Sequence, residues 1–174
     1  MPGHVVLVGL MGSGKSTVGR ELAALLDRPL VDNDQQVLAM TGLTVAEINA
    51  DAGVAAMHRL EGAALAEALA SPAPAVITAA AGVILDDEAR RCLAEPFVAW
   101  LRADPETVAA RIASDPVRPL LGDDPVTVLR TMVEQRWPLY AAVADLVIDV
   151  DGQTPWAVAA TIAGHLPGGS DDLR

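Results

Sequence analysis

The chain has 174 residues and a formal net charge of −11, with 52% hydrophobic but only 3% aromatic residues. That length suits one domain with a full core, filled by Ala, Val and Leu rather than by rings. The acidic balance argues against a nucleic-acid partner, whose phosphates need basic surface, but not against a nucleotide held by a few focused arginines.

In chain order, His4-Val5-Val6-Leu7-Val8 is a β-branched run that reads as a buried strand. Gly9-Leu10-Met11-Gly12-Ser13-Gly14-Lys15-Ser16-Thr17 follows, a G-x-x-x-x-G-K-S phosphate-binding loop. The apolar spacing over 18–26 then reads as a helix. Residues 29–31 form a second short strand ending at Asp32-Asn33-Asp34, and a helix from 35 stops at Thr41-Gly42. Thr44 caps the next helix, with Glu47 completing a capping box. Gly53 breaks the chain before a long alanine-rich helix over 54–69, and Ser71-Pro72-Ala73-Pro74 is a loop. Residues 75–78 are a third strand, followed by Ala79-Ala80-Ala81-Gly82.

A helix over 86–93 leads to a fourth strand at 97–101, and Pro105 opens a helix through 112. From 113 to 125 the composition shifts to Asp, Pro, Arg and Gly, a loop long enough to mark function or disorder. A helix over 126–144 carries Pro138, where a break or bend is expected. The fifth strand is 146–150, the last helix runs from Pro155 to about 165, and the tail from 168 frays. No apolar run approaches the roughly 20 residues of a membrane span, and no export signal is expected. The single cysteine, Cys92, excludes an internal disulfide, reads as a packing residue and suits a reducing cytoplasm.

Strands alternating with helices imply an α/β fold, a parallel sheet covered on both faces. Ligands in such folds sit at the carboxyl ends of the strands, which gathers residues 9–17, 32–34 and 79–82 at one rim. In the phosphate loop, N–H groups of Gly12, Ser13, Gly14 and the following helix start converge on a phosphate. Lys15 would reach the β- and γ-phosphates, and the Ser16 hydroxyl would ligate Mg²⁺. Asp32 and Asp34 leave the second strand on one face, Asn33 on the other. One carboxylate can hold Mg²⁺ and the other accept a proton from an attacking hydroxyl; alternatively both merely cap the following helix. Arg118 in the long loop could neutralise charge on a transferred phosphoryl group or sit in solvent. Arg111 could meet base or phosphate or be a solvated helix face, and Arg136 is a candidate clamp for a substrate carboxylate. His58 and Glu61 stand one turn apart and could pair. Trp100, Trp137, Trp156 and Met57 read as packing, and His4 and His165 as peripheral.

Together these stretches resemble shikimate kinase, the small P-loop kinase of aromatic amino-acid biosynthesis, over about 5–165. The loop from Gly9 to Gly19 matches that family almost letter for letter, and Asp32-Asn33-Asp34 matches its Asp-x-Asp. Val117-Arg118-Pro119-Leu120-Leu121 matches its lid signature, and Arg136-Trp137-Pro138-Leu139-Tyr140 its Arg-x-x-x-Tyr segment. The resemblance implies a five-stranded parallel sheet of order 2-3-1-4-5 flanked by helices, with a mobile lid at about 113–125. It implies one P-loop kinase domain over 1–167, a flexible tail over 168–174, and a cytoplasmic monomer. It makes ATP and Mg²⁺ the cofactors, with Ser16 and Asp32 at the metal. It places Gly12, Ser13, Gly14, Lys15, Ser16, Thr17, Arg111 and Arg118 at the nucleotide. Lys15, Asp34 and Arg118 become catalytic, and Asp34, His58, Ala80, Ala81, Gly82 and Arg136 line the acceptor.

Two departures fall at the acceptor. The family's Gly-Glu-x-x-Phe-Arg-x-x-Glu is here Gly53-Val54-Ala55-Ala56-Met57-His58-Arg59-Leu60-Glu61, so His58 stands where a carboxylate-binding arginine is expected. The exchange would lose about 1.5–3 kcal/mol of charge-assisted contact, and Arg59 is rotated well away on a helix. The family's Gly-Gly-Gly is Ala80-Ala81-Gly82, where a required left-handed backbone would cost each alanine about 1 kcal/mol or more. The reading is phosphoryl transfer from ATP to a hydroxyl of shikimate, without nucleic acid or membrane. The alternatives are transfer to another small hydroxylated metabolite, such as a cyclitol or polyol, or a non-catalytic nucleotide-binding regulator. A nucleotide-monophosphate kinase would need a base-binding acceptor pocket that no stretch supplies.

Overall fold

A computed structural model of the chain describes residues 3–113 and 124–167. At the centre of its sheet lies β1 (Val5–Val8), with all four residues buried. It pairs in parallel with β3 (Val76–Thr78) on one side and β4 (Phe97–Arg102) on the other. Outside these lie β2 (Leu30–Asp32) and β5 (Leu146–Asp149), also parallel, so the order is β2-β3-β1-β4-β5.

Because successive strand residues point to opposite faces, the central strands sort their side chains into two cores. Val5, Leu7, Val76, Ala99 and Leu101 pack on one face against Val18 and Leu22 of α1 (Lys15–Leu26) and Val158 and Ile162 of α8 (Pro155–His165). Val6, Val8, Ile77, Val98 and Trp100 pack on the other. Their partners include Leu65 of α4 (Val54–Leu69) and Tyr140 of α7 (Pro125–Val143). In a core poor in rings, Trp100 stacks on Tyr140 at 5.6 Å and meets Trp137 edge-on at 5.7 Å.

Local chemistry accounts for most boundaries. Thr44 and Glu47 form the expected capping box on α3 (Val45–Ala52), and α4 starts directly after Gly53. Asp86 caps α5 (Asp87–Cys92), Pro105 opens α6 (Pro105–Ala113), and Thr154 caps α8. Three details depart from the sequence reading. The helix after β2, α2 (Asn33–Thr41), begins at Asn33 because Asp32 itself is its cap. A short 3₁₀ turn, Val83–Leu85, was not expected. And α7 runs through Pro138 as one helix; the proline removes a single N–H while Leu129, Arg136 and Tyr140 on the same helix stay buried. Among the described residues no helix is long and apolar enough to cross a membrane. The expected lid arginine, most of the expected lid and the expected C-terminal tail fall outside them.

The seat of α1 on the sheet is tight at Gly19, where an added Cβ would stand 2.6 Å from Thr78 Cγ2 and 3.1 Å from Leu30 Cδ1. Gly62, inside α4, meets only Ala89 Cβ at 3.6 Å. Gly19→Ala should therefore destabilise by about 1–3 kcal/mol through overpacking. Gly62→Ala should stabilise by about 0.4–1 kcal/mol through the unfolded chain. Urea unfolding midpoints check the pair, and equal midpoints would contradict this account of the α1 seat.

Candidate active site

The phosphate loop leaves β1 and enters α1 through glycines with different tasks. Gly9 lies so near β4 that a Cβ would stand 2.6 Å from the Leu101 carbonyl oxygen. Gly14, the N-cap of α1, has open space but φ +94°, a conformation that side chains disfavour. No side chain caps α1 and no acidic residue lies in its first turn. By contrast Asp32, Thr44, Asp86, Asp124 and Thr154 each cap another helix. The N–H groups at the start of α1 therefore remain for an anion, backed by the helix dipole. Lys15 Nζ donates to the carbonyls of Gly9 and Leu10 at 2.8 and 2.9 Å, which lays its charge along the loop. Ser16 and Thr17 are exposed at the same end, while Ser13 is buried with its hydroxyl unpartnered.

Asp32 sits at the end of β2. One carboxylate oxygen accepts from the N–H groups of Asp34 and Gln35, and the other from Thr78 Oγ1 at 3.0 Å. The capping reading of Asp32 is thus correct, and it coexists with a position on the rim. The shared-face argument for Asp32 and Asp34 does not hold, because the chain is helical from Asn33 onward and strand alternation ends there. Asp34 is nevertheless exposed on the first turn of α2. Asn33 is buried and takes on a role that the sequence pattern does not reveal. Its amide donates to the Glu61 carbonyl at 3.1 Å and accepts from Ala80 N–H at 3.1 Å, tying α4 to the loop after β3. Among the described residues no three His, Cys, Asp or Glu converge as a metal cage. One hydroxyl and one carboxylate, Ser16 and Asp32, instead fit a Mg²⁺ ion that keeps several waters and shares substrate phosphates.

Across the rim, α4 and α7 bring His58, Glu61, Arg136 and Tyr140 around Ala81-Gly82. Arg136 is 9% exposed and donates to the Ala81 carbonyl at 3.2 Å, leaving its Nε unpartnered. The Tyr140 hydroxyl donates to the same carbonyl at 3.0 Å, and burial pushes its pKa up. Glu61 is 5% exposed, and its Oε2 has no hydrogen-bond partner. Burial and the nearby Asp34 charge push its carboxyl up to about 7, against the pull of Arg136 and Lys15. His58 is shifted down by burial and by the Arg136 charge. A Cβ on Gly82 would stand 2.5 Å from His58 Nε2 and 2.6 Å from Glu61 Oε2, so a side chain there would push one or both groups aside. His58 and Glu61 thus meet across Gly82, not in a hydrogen-bonded pair. Arg59 is exposed, as its helical position requires. The expected strain at Ala80 and Ala81 is not found: Asp27 is the one non-glycine with positive φ among the described residues.

On the other side of the phosphate loop lies a cleft of about 310 Å³ between Gly12, Gly14, Arg111, Gln153, Pro155 and Val158. Arg111 reaches the loop, donating to the Gly12 carbonyl at 3.1 Å. Gln153 and Pro155 escaped the sequence reading, although the carboxyl-end rule applied to β5 points at their segment. Trp100, Trp137 and Met57 are packing residues, but Trp156 is 63% exposed. His4 bridges the Ala75 N–H and the Ser71 carbonyl, a structural task. Cys92 is half-buried.

The sequence model of shikimate kinase matches residues 11–167. The shikimate kinase of Salinispora tropica is 41% identical over 162 residues, spanning 93% of this chain and 96% of that protein. That of Symbiobacterium thermophilum is 43% identical over 167 residues, spanning 94% and 95%. Among solved structures, shikimate kinase from Acinetobacter baumannii in complex with shikimate superposes with a TM-score of 0.87 at 32% identity, covering 94% of this chain and 92% of that one. A gluconokinase from Sinorhizobium meliloti shares the fold alone, with a TM-score of 0.65 at 22% identity over 92% of this chain and 93% of that one. With matches of this extent and identity, the chain belongs to the shikimate kinase family.

Proposed function

We propose that this chain phosphorylates a hydroxyl of shikimate, with Lys15, Asp34 and Arg118 as the catalytic residues. That it is a phosphotransferase using ATP and Mg²⁺ on an alcohol follows from its family. The acceptor and the residue roles are the proposal. The observation that supports them is the parallel pairing of β1 with β3, from whose carboxyl ends the phosphate loop and the Ala79–Gly82 turn leave side by side.

ATP lies with its phosphates in the cradle of Gly12, Ser13, Gly14 and Thr17, and its nucleoside in the cleft beside Arg111. Ser16 and Asp32 hold Mg²⁺, which neutralises charge on the phosphates when bound. Lys15, together with Arg118 from beyond the described residues, stabilises charge on the transferred group. Asp34 orients the attacking hydroxyl and takes its proton. Arg136 and His58 receive the acceptor's carboxylate, while Ala80, Ala81 and Gly82 line its ring, the two alanine methyls narrowing the site. The enzyme works as a cytoplasmic monomer, in which each chain carries its own complete site.

One observation favours a second reading, transfer to a hydroxylated metabolite with a different or absent carboxylate. His58 stands where the family's arginine is expected, and its shift is toward the neutral form. A regulator without catalysis fits less well, since Lys15 and Asp34 both stand at the rim. Coupled ADP release and phosphorus NMR of the product, with shikimate beside a panel of cyclitols and polyols, should show shikimate as the preferred acceptor. Preference for a panel member without a carboxylate would establish the second reading, and nucleotide binding without any turnover the regulator. Asp34→Asn should lower kcat by about 100- to 10,000-fold with little change in the KM for ATP. Lys15→Ala should lower kcat/KM for ATP by about 100-fold or more. A kcat near that of the parent for Asp34→Asn would remove it from the chemistry.

A further inference from the structure

We propose that His58 and Glu61 make the acceptor end a proton-linked carboxylate site, in which the acceptor's carboxylate binds together with a proton held by this pair. The inference rests on the reading of shikimate, a carboxylate, as acceptor. Three geometric facts support it. His58 Nε2 and Glu61 Oε2 lie 2.5 and 2.6 Å from one point, that of the absent Gly82 Cβ. Glu61 Oε2 is buried and has no hydrogen-bond partner among the described residues, so no hydrogen bond from them stabilises charge on that oxygen. Arg136, on the facing helix, is buried with its Nε unpartnered, so this end of the cleft holds one permanent cation with unused donor capacity.

The charged groups acting on His58 are Arg136 of α7 and Asp86 at the start of α5. Those acting on Glu61 are Asp34 of α2, Arg136 of α7 and Lys15 of α1, with Tyr140 of α7 a buried neutral phenol beside them. In the free protein burial and Arg136 hold His58 toward neutral, and burial and Asp34 hold Glu61 partly protonated near neutrality. An anionic carboxylate arriving beside Arg136 reverses the first preference and strengthens the second. It favours the imidazolium, raising the His58 pKa, and opposes ionisation of Glu61, raising that pKa further. Both changes take up protons from solvent, so the sign is the same for both groups. Acceptor binding is strongest below the free-state pKa values and weakens as pH rises through them. An arginine at position 58 would keep its charge throughout and show no such linkage.

Calorimetry of shikimate binding to the intact protein, in two buffers of different ionisation enthalpy near pH 7, measures the uptake directly. The expected result is a net uptake of up to about one proton per shikimate. Between about pH 6 and about pH 8.5 the KM for shikimate should rise by up to about tenfold per pH unit while the KM for ATP stays level. His58→Arg, whose fixed charge also favours ionised Glu61, should flatten this profile at a low KM; His58→Asn should keep the Glu61 part of it, and His58→Asn combined with Glu61→Gln should be flat at a high KM. Shikimate binding without proton uptake, or a pH dependence that persists undiminished in His58→Arg and in the double variant, overturns the proton link while leaving the acceptor assignment intact. Neither binding nor turnover of shikimate at any pH overturns the acceptor assignment and the proton link with it.

Discussion

Parallel pairing of β1 with β3 on one side and β4 on the other fixes where every functional segment leaves the sheet. Because all strands run the same way, their carboxyl ends share one rim, and the phosphate loop, the Asp32 turn and the Ala79–Gly82 turn emerge side by side. The register matters as much as the direction. Leu7 lies opposite Thr78, and Asp32 opposite Thr78 from the other side, which lets one threonine hydroxyl hold the Asp32 carboxylate. A one-residue slip of β3 would turn Thr78 to the opposite face and exchange the two cores.

Around that frame the two halves of the cleft are built by different physics. The phosphate half is backbone, with N–H groups exposed by glycines whose conformation or close approach excludes a side chain. The acceptor half is side chain, held by buried polar bonds that each serve two elements. Asn33 joins α2 to α4 and to the β3 loop, and the Ala81 carbonyl takes donors from both Arg136 and Tyr140. Such bonds gain most from burial when complete and lose most when one partner is missing. The acceptor half is therefore the less tolerant of single changes, and its unpartnered Glu61 Oε2 and Arg136 Nε are the exceptions that a polar ligand can answer.

The same division explains what the sequence could reveal. Caps and breakers act locally, so Thr44 with Glu47 and the glycine at 53 located α3 and α4 closely. The phosphate loop is contiguous, so its chemistry was legible as a motif. The Asp32–Asp34 geometry is not legible because a residue or two decides whether strand alternation or helical twist applies, and α2 begins at Asn33, two residues earlier than the pattern predicts. Gln153 and Pro155 were missed because their cleft exists only once the ends of β1 and β5 and the C-terminal end of α6 meet. Likewise, whether Ala80 and Ala81 strain the backbone is a matter of φ, which no residue pattern states.

The change at position 58 gains its sense from charge balance within this cluster. With arginine there, three cations, its guanidinium, that of Arg136 and the Lys15 ammonium, would offset Glu61 and Asp34. Replacing the arginine by a largely neutral imidazole while leaving Glu61 ionised would bury a less compensated negative charge beside Asp34. A buried carboxylate answers by taking a proton rather than by paying several kcal/mol of desolvation. Glu61 near 7 is that answer. The absent Cβ of Gly82 makes this local, because it leaves room for the imidazole and the carboxyl, both on α4, to approach the same point. The pocket thus holds a titratable charge where an arginine would hold a fixed one.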